Sequence, residues 1–350
     1  MEKFIRRSTE RKHGFERVLF QKLNLCELQG LVVNSEWDPT AGLEVFECDK
    51  MSIFNRLFQL IKSNNIQKFK NFLNTNTSIS FTDIMKRLVL TNEINVPFYL
   101  IFYYESDPSL KDIPRNKRKE TTTRIKLSAN SRRYIIVQIK YIYIPSSKNN
   151  EYSFGPCYYY HENEFINWWE SKKKTIQTKP FTNGADKRAR NSTFDLILES
   201  YHLKWGGNID AFMINSDTHH NIKCIIDFLS YSKTRDNHNQ GDLLWPNANP
   251  SRWYDGRRGH GPSFNGFRIQ TSIAQKLGVP HIIIYLDKEN PHNEAVAIGA
   301  IHSISHDQIN LYSYKGSQYP GDHIIRGEQS IISEINHLIT SVGAPKIINY

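Results

Sequence analysis

The chain is poor in cysteine and has none in a close pair. Cys26, Cys48, Cys157 and Cys224 are far apart in sequence, with no CxxC spacing. A structural zinc site needs clustered thiolate or imidazole ligands, and a disulfide framework needs denser cysteines. Both are therefore excluded, and the thiols read as reduced, buried groups. His219, His220, Cys224 and His238 also match no zinc spacing. No run of about 18 apolar residues occurs, so nothing here spans a bilayer as a helix. Residues 1–12 are charged and lack the apolar stretch of a signal peptide. The expectation is a soluble cytoplasmic protein with no membrane partner. The GxSxG elbow, the phosphate-binding P-loop and the paired-glycine dinucleotide fingerprint are missing too, so serine-hydrolase, NTPase and NAD chemistry lack support.

What the chain does have is positive charge. Lys and Arg number 45 against 35 Asp and Glu, a formal net charge of +10. Such an excess favours a polyanionic partner, of which nucleic acid is the commonest. At 350 residues, with 39% hydrophobic and 12% aromatic content, the chain can bury two cores.

Helical spacing of apolar residues runs through 13–28 and, more strongly, through 51–73. Val96 to Tyr104 and Tyr134 to Ile144 read as strands, the second ended by Pro145. His161 to Glu170 reads as a helix. Two basic stretches, Lys111 to Arg133 and Lys172 to Arg190, read as exposed loops, and the second marks a domain boundary. An N-terminal α+β domain then covers 1–175 and a second domain 190–350. Beyond 190 the order is helix, strand, strand, long loop, helix, strand, strand, helix: an α/β layout with a mixed sheet flanked by helices.

Chemistry concentrates in that second domain. Asp227 stands inside the apolar strand Ile225-Ile226-Asp227-Phe228-Leu229, and Asp210 inside Ile209-Asp210-Ala211-Phe212. A carboxylate in an apolar strand is costly unless paired or bound to metal. Neighbouring strands can bring two such carboxylates to one edge of a sheet, with Glu199 on the helix before them. Divalent-metal hydrolysis of a phosphodiester needs such hard oxygen ligands. Two ordinary strand-end aspartates bonded to backbone amides or a lysine remain the alternative.

Glu199 on a helix, Gly206-Gly207-Asn208-Ile209-Asp210 leading into a strand, and Ile222-Lys223-Cys224-Ile225-Ile226-Asp227-Phe228 as the next strand resemble the PD-(D/E)XK nuclease superfamily. That family includes restriction endonucleases and Mrr-type nucleases. The resemblance covers roughly 193–287 and implies a restriction-endonuclease-like core. It makes Glu199, Asp210 and Asp227 the ligands of Mg²⁺ or Mn²⁺, and Gln270, on the following helix, a residue near the site. The lysine that the family carries two residues after the second acid is here Leu229. Lys233 or Lys204 is then the candidate to orient the attacking water, with Lys223 a further source.

A rival strand, Tyr134 to Ile142 with Gln138 and Lys140, carries the QxK spacing of Mrr-type enzymes more literally. It lacks an upstream aspartate after glycines, and Lys140 reads there as a solvent-facing residue.

The long loop 241–266 interleaves Arg252, Trp253, Tyr254, Arg257, Arg258 and His260 among glycines. Basic and aromatic residues together suit phosphate contact and base stacking. Lys117, Arg118 and Lys119 are a second set for phosphate contact. The expectation is a Mg²⁺-dependent endonuclease on double-stranded DNA, of restriction or defence type, acting as a homodimer. The alternatives are a binding protein that kept the scaffold and lost catalysis, and an RNA-directed nuclease.

Overall fold

The structure is a computed structural model. It describes residues 4–6, 14–34, 38–77, 79–106, 123, 125–144, 149–172, 193–203, 207–215, 221–231, 262–287, 294–305, 309–312 and 324–348. The chain opens with β1 (Phe4–Arg6), α1 (Gly14–Lys22), β2 (Cys26–Val33) and β3 (Pro39–Cys48). Three helices follow, α2 (Met51–Lys62), α3 (Ile66–Asn76) and α4 (Phe81–Glu93), and then β4 (Phe98–Tyr104). Next come β5 (Arg133–Ile144), β6 (Asn149–Tyr160), α5 (Glu162–Lys172) and α6 (Thr193–Ser200). β7 (Gly207–Ile214), β8 (Ile222–Tyr231), α7 (Pro262–Leu277), β9 (His281–Asp287) and β10 (Ala295–Ile304) come after them. The last are β11 (Ile309–Leu311), β12 (Ile324–Arg326), α8 (Glu328–Ser341) and β13 (Lys346–Ile347).

The chain divides into two compact α/β units, Met1–Ser8 with Leu28–Asn208, and Thr9–Glu27 with Ile209–Tyr350. A boundary in chain order, 1–175 against 190–350, departs from this in two places: Thr193–Ser200, which carries Glu199, belongs to the first unit rather than to the second, and one exchange crosses the boundary. The N-terminal helix α1 folds with the C-terminal strands, because its apolar face (Phe15, Leu19) shares their core.

In the first unit β2 and β3 are antiparallel, β3 and β4 parallel, and β4, β5 and β6 antiparallel in turn. A parallel neighbour requires a crossover, and α2, α3 and α4 supply it. The helical spacing of 51–73 is carried by two helices, split where Asn64 takes a left-handed φ of 51°. Asn65 then caps α3 by accepting from the Lys68 N–H. The α4 start is a capping box of Ser80 and Asp83. β2 and β3 are buried almost throughout, so they lack the alternation by which a half-exposed strand shows itself in sequence. At Gly42 on β3, an added Cβ would lie 2.3 Å from Thr91 Cγ2. Thr91 is fully buried, and its hydroxyl donates to the Arg87 and Leu88 carbonyls. It cannot move aside cheaply. Gly42→Ala is expected to destabilise the protein by about 1–3 kcal/mol, read as a lower urea midpoint.

The same unit buries an ionic knot. Arg132, wholly inaccessible, donates to Glu105 Oε2 at 2.5 Å, Glu162 Oε1 at 2.8 Å and Ser128 Oγ at 2.6 Å. Tyr134 donates to Glu162 Oε2 at 2.6 Å, and Tyr201 is hydrogen-bonded to the same carboxylate. Burial holds the Glu162 carboxyl above its ordinary range, although Arg132 and the two tyrosines pull the other way. Desolvation works against the Arg132 charge, but Glu162, Tyr134 and Glu105 together outweigh it. Glu105, the acid preceding the rival QxK strand, is thus committed to Arg132. Lys140 is exposed on β5.

In the second unit β7 and β8 form an antiparallel pair. α7 crosses over, and β9 returns parallel to β8, with Ile226 beside Ile282 and Asp227 beside Ile283. β10 is antiparallel to β9 and pairs with β11, β12 and β13. Alternation assigns the faces. Ala211, Met213, Cys224, Ile226, Ile282 and Ile284 pack with α1 and α8. Ile283, Tyr285, Ala297 and Ile301 pack with Phe267 of α7. Asp210 and Asp227, one step out of phase with the first set, are left on the α7 side of the sheet.

Candidate active site

Asp227 is 5% exposed. Its Oδ1 accepts from Gln270 Nε2 at 2.5 Å and its Oδ2 lies 3.1 Å from His281 Nε2. Gln270 comes from α7 and His281 from the first residue of β9, the two elements that flank β8. His281 is fully buried, and its Nδ1 lies 3.0 Å from the hydroxyl of Thr271, also fully buried. A pair of strands and one crossover helix thus bring four polar side chains into an otherwise apolar layer.

Asp210 meets Asp227 across β7 and β8. The register that sets Ala211 beside Ile226 carries these two toward one another. Their side chains are hydrogen-bonded, and Asp210 Oδ2 also accepts from the Phe228 N–H at 3.4 Å. Burial, then the neighbouring Asp227, then Glu16 of α1 push the Asp210 carboxyl well above the usual aspartate range. Two carboxyls in contact in a desolvated site cannot both carry charge at ordinary cost. They share a proton or face a cation. Burial and the charge of Asp227 also hold the Tyr285 phenol well above its ordinary range.

Asp210, Asp227 and Gln270 thus come together as the sequence suggests. Glu16 and His281 were not singled out from the sequence. Glu16 was hidden because 194 positions separate it from Asp210, and His281 because it opens the apolar run Ile282 to Leu286. The signal for His281 is the one that exposed Asp227: a polar residue in an apolar strand. Glu199 lies on α6 of the first unit, with its side chain outside the described residues. Lys204 and Lys233 lie outside them too, as do Arg252, Trp253, Tyr254, Arg257, Arg258, His260, Lys117, Arg118 and Lys119.

No family model, curated protein or solved structure matches the chain.

Among the described residues, no group of three or more His, Cys, Asp or Glu side chains is placed to hold a metal ion. The donor set still fits a hard divalent ion of the Mg²⁺ type. Such an ion is commonly held by one or two carboxylates, with water and substrate phosphate completing its shell. Gln270 Oε1 is buried without a hydrogen-bond partner among the described residues, a further hard oxygen beside the pair. Among the described residues, no helix is long and apolar enough to cross a membrane.

Proposed function

We propose that the chain is a Mg²⁺-dependent endonuclease acting on double-stranded DNA, of restriction or defence type, with a PD-(D/E)XK-like core in its second unit. The observation that carries this reading is the contact between Asp210 and Asp227 within reach of the Glu16 charge. Two acids on neighbouring strands are part of the constellation the superfamily uses for metal. The order of β7, β8, α7 and β9 supports it, as does Gln270 on the crossover helix. The formal +10 charge favours a polyanionic substrate.

In this reading Asp210 and Asp227 hold the cation, with Glu199 as the expected helical acid, and the Glu16 charge adds to the negative field at Asp210. The bound ion would supply Lewis-acid neutralisation of the scissile phosphate and an activated water. Gln270 keeps Asp227 oriented. The basic residues of 241–266, with Lys117, Arg118 and Lys119, would hold the backbone without reading sequence. Arg132, in the same basic stretch as those three, is instead buried and committed to Glu105 and Glu162. A second copy of the chain would let both strands be cut.

The test is plasmid cleavage in Mg²⁺ or Mn²⁺ by wild type, Asp210→Ala and Asp227→Ala. Discrete fragments from wild type alone support the reading. DNA shifted on a gel but never cut would replace it with a binding protein on a nuclease scaffold, the outcome that Leu229 in the lysine's place favours. Preferential cutting of RNA would replace the substrate. Glu16→Gln is expected to raise the Mg²⁺ concentration for half-maximal cleavage by about 10–100-fold. A metal titration of cleavage rate reads it, and an unchanged midpoint would remove Glu16 from the site.

A further inference from the structure

We propose that Thr271 and His281 form a positioning pair that locks the Asp227 carboxylate and thereby sets how tightly the site holds a divalent cation. The inference rests on the reading of Asp210 and Asp227 as cation ligands. A carboxylate only accepts, so His281 Nε2 must carry the hydrogen across the 3.1 Å contact to Asp227 Oδ2. In the neutral ring Nδ1 is then the acceptor, and the Thr271 hydroxyl donates to it at 3.0 Å. Thr271 therefore selects the tautomer, and the tautomer selects the donor that faces Asp227.

Gln270 completes the arrangement by donating to the other oxygen. Turning the Asp227 carboxylate would break both bonds at once. The side chain of Asp210 meets the same carboxylate. Thr271 and His281 are both fully buried, beside Ile282, Ile283 and Ile284. A core with no demand on this position would be filled more cheaply by an apolar residue. Outer-shell partners of this kind fix the orientation of a ligating group before the ion arrives, and their loss weakens metal affinity.

The experiment titrates Mn²⁺ into the full-length protein without nucleic acid, following free Mn²⁺ by electron paramagnetic resonance. Thermal melting of each variant checks that it folds. Thr271→Val keeps the shape and removes the hydroxyl, and is expected to weaken Mn²⁺ binding by about 10–100-fold. Thr271→Ser restores the hydroxyl and is expected to bind as wild type does. His281→Gln, whose amide can still donate to Asp227, is expected to fall between them. A folded Thr271→Val that binds Mn²⁺ as tightly as wild type overturns the pairing and leaves the cation site standing. A wild type that shows no Mn²⁺ binding dependent on Asp210 overturns the cation site itself, and the pairing with it.

Discussion

Asp210→Asn is expected to reduce Mg²⁺-dependent cleavage by roughly 10²–10³-fold or more, the scale for losing one group that stabilises charge in a transition state. The same change is expected to raise metal-free stability at neutral pH. The two effects have one cause. Burial, Asp227 and Glu16 lift the Asp210 carboxyl well above its ordinary 3.8, so the folded chain binds this proton more tightly than the unfolded chain. The stability that the bound proton brings is complete below the unfolded value, near pH 4, and is lost as pH rises through the elevated folded value. Metal-free wild type should therefore melt at lower temperature as pH climbs from that region, and Asp210→Asn should flatten the profile. Added Mg²⁺ should raise the melting temperature of wild type and leave that of Asp210→Asn unchanged. A wild-type profile already flat without metal, with no response to Mg²⁺, would show that the two carboxyls create no tension for a cation to relieve.

Arg132→Met is expected to lower stability by about 3–5 kcal/mol, the range for removing one partner of a buried ion group. Glu105 and Glu162 would be left desolvated without their shared cation, and methionine returns only part of the volume. Urea unfolding reads the loss as a shifted midpoint. Glu162 already lies above its ordinary range with Arg132 in place. Without the guanidinium it rises further, so the deficit should shrink as pH falls and Glu162 takes up a proton. Replacing all three charges by apolar residues should recover much of the loss, because the buried pairings gain little over well-packed hydrophobic side chains. A midpoint unchanged in Arg132→Met would mean that the knot is hydrated or rearranged in solution.

Much of the second unit was readable in the sequence. Asp227 stood out because an acid flanked by Ile225, Ile226 and Phe228 has no reason to be there except a partner. The residues from Ile222 to Leu229 and from His281 to Leu286 are mostly apolar, broken by Lys223, Asp227 and His281, and bounded by turn signals, the mark of largely buried strands. Phe267 to Leu277 repeats at helical spacing. In the first unit β2, β3 and β6 were not drawn. β2 and β3 are too buried to alternate, and β6 carries a polar first half. The helical spacing over 51–73 gave no sign of the break at Asn64, since periodicity continues through a left-handed residue without marking it.

By itself the sequence determined local choices: which segments coil and which extend, where caps fall, and that Asp210 and Asp227 are anomalous in their strands. Only the tertiary structure decided their partners. α1 joins the C-terminal strands over a gap of nearly two hundred positions because its Phe15 and Leu19 complete a core that no neighbour in sequence supplies. That docking brings the Glu16 charge to bear on Asp210. The parallel return of β9 beside β8, which follows from the α7 crossover, likewise delivers His281 to Asp227. Helix and strand periods act over a few residues and leave their mark in the sequence. Burial of complementary faces acts between distant segments, and one sequence carries no record of which faces will meet.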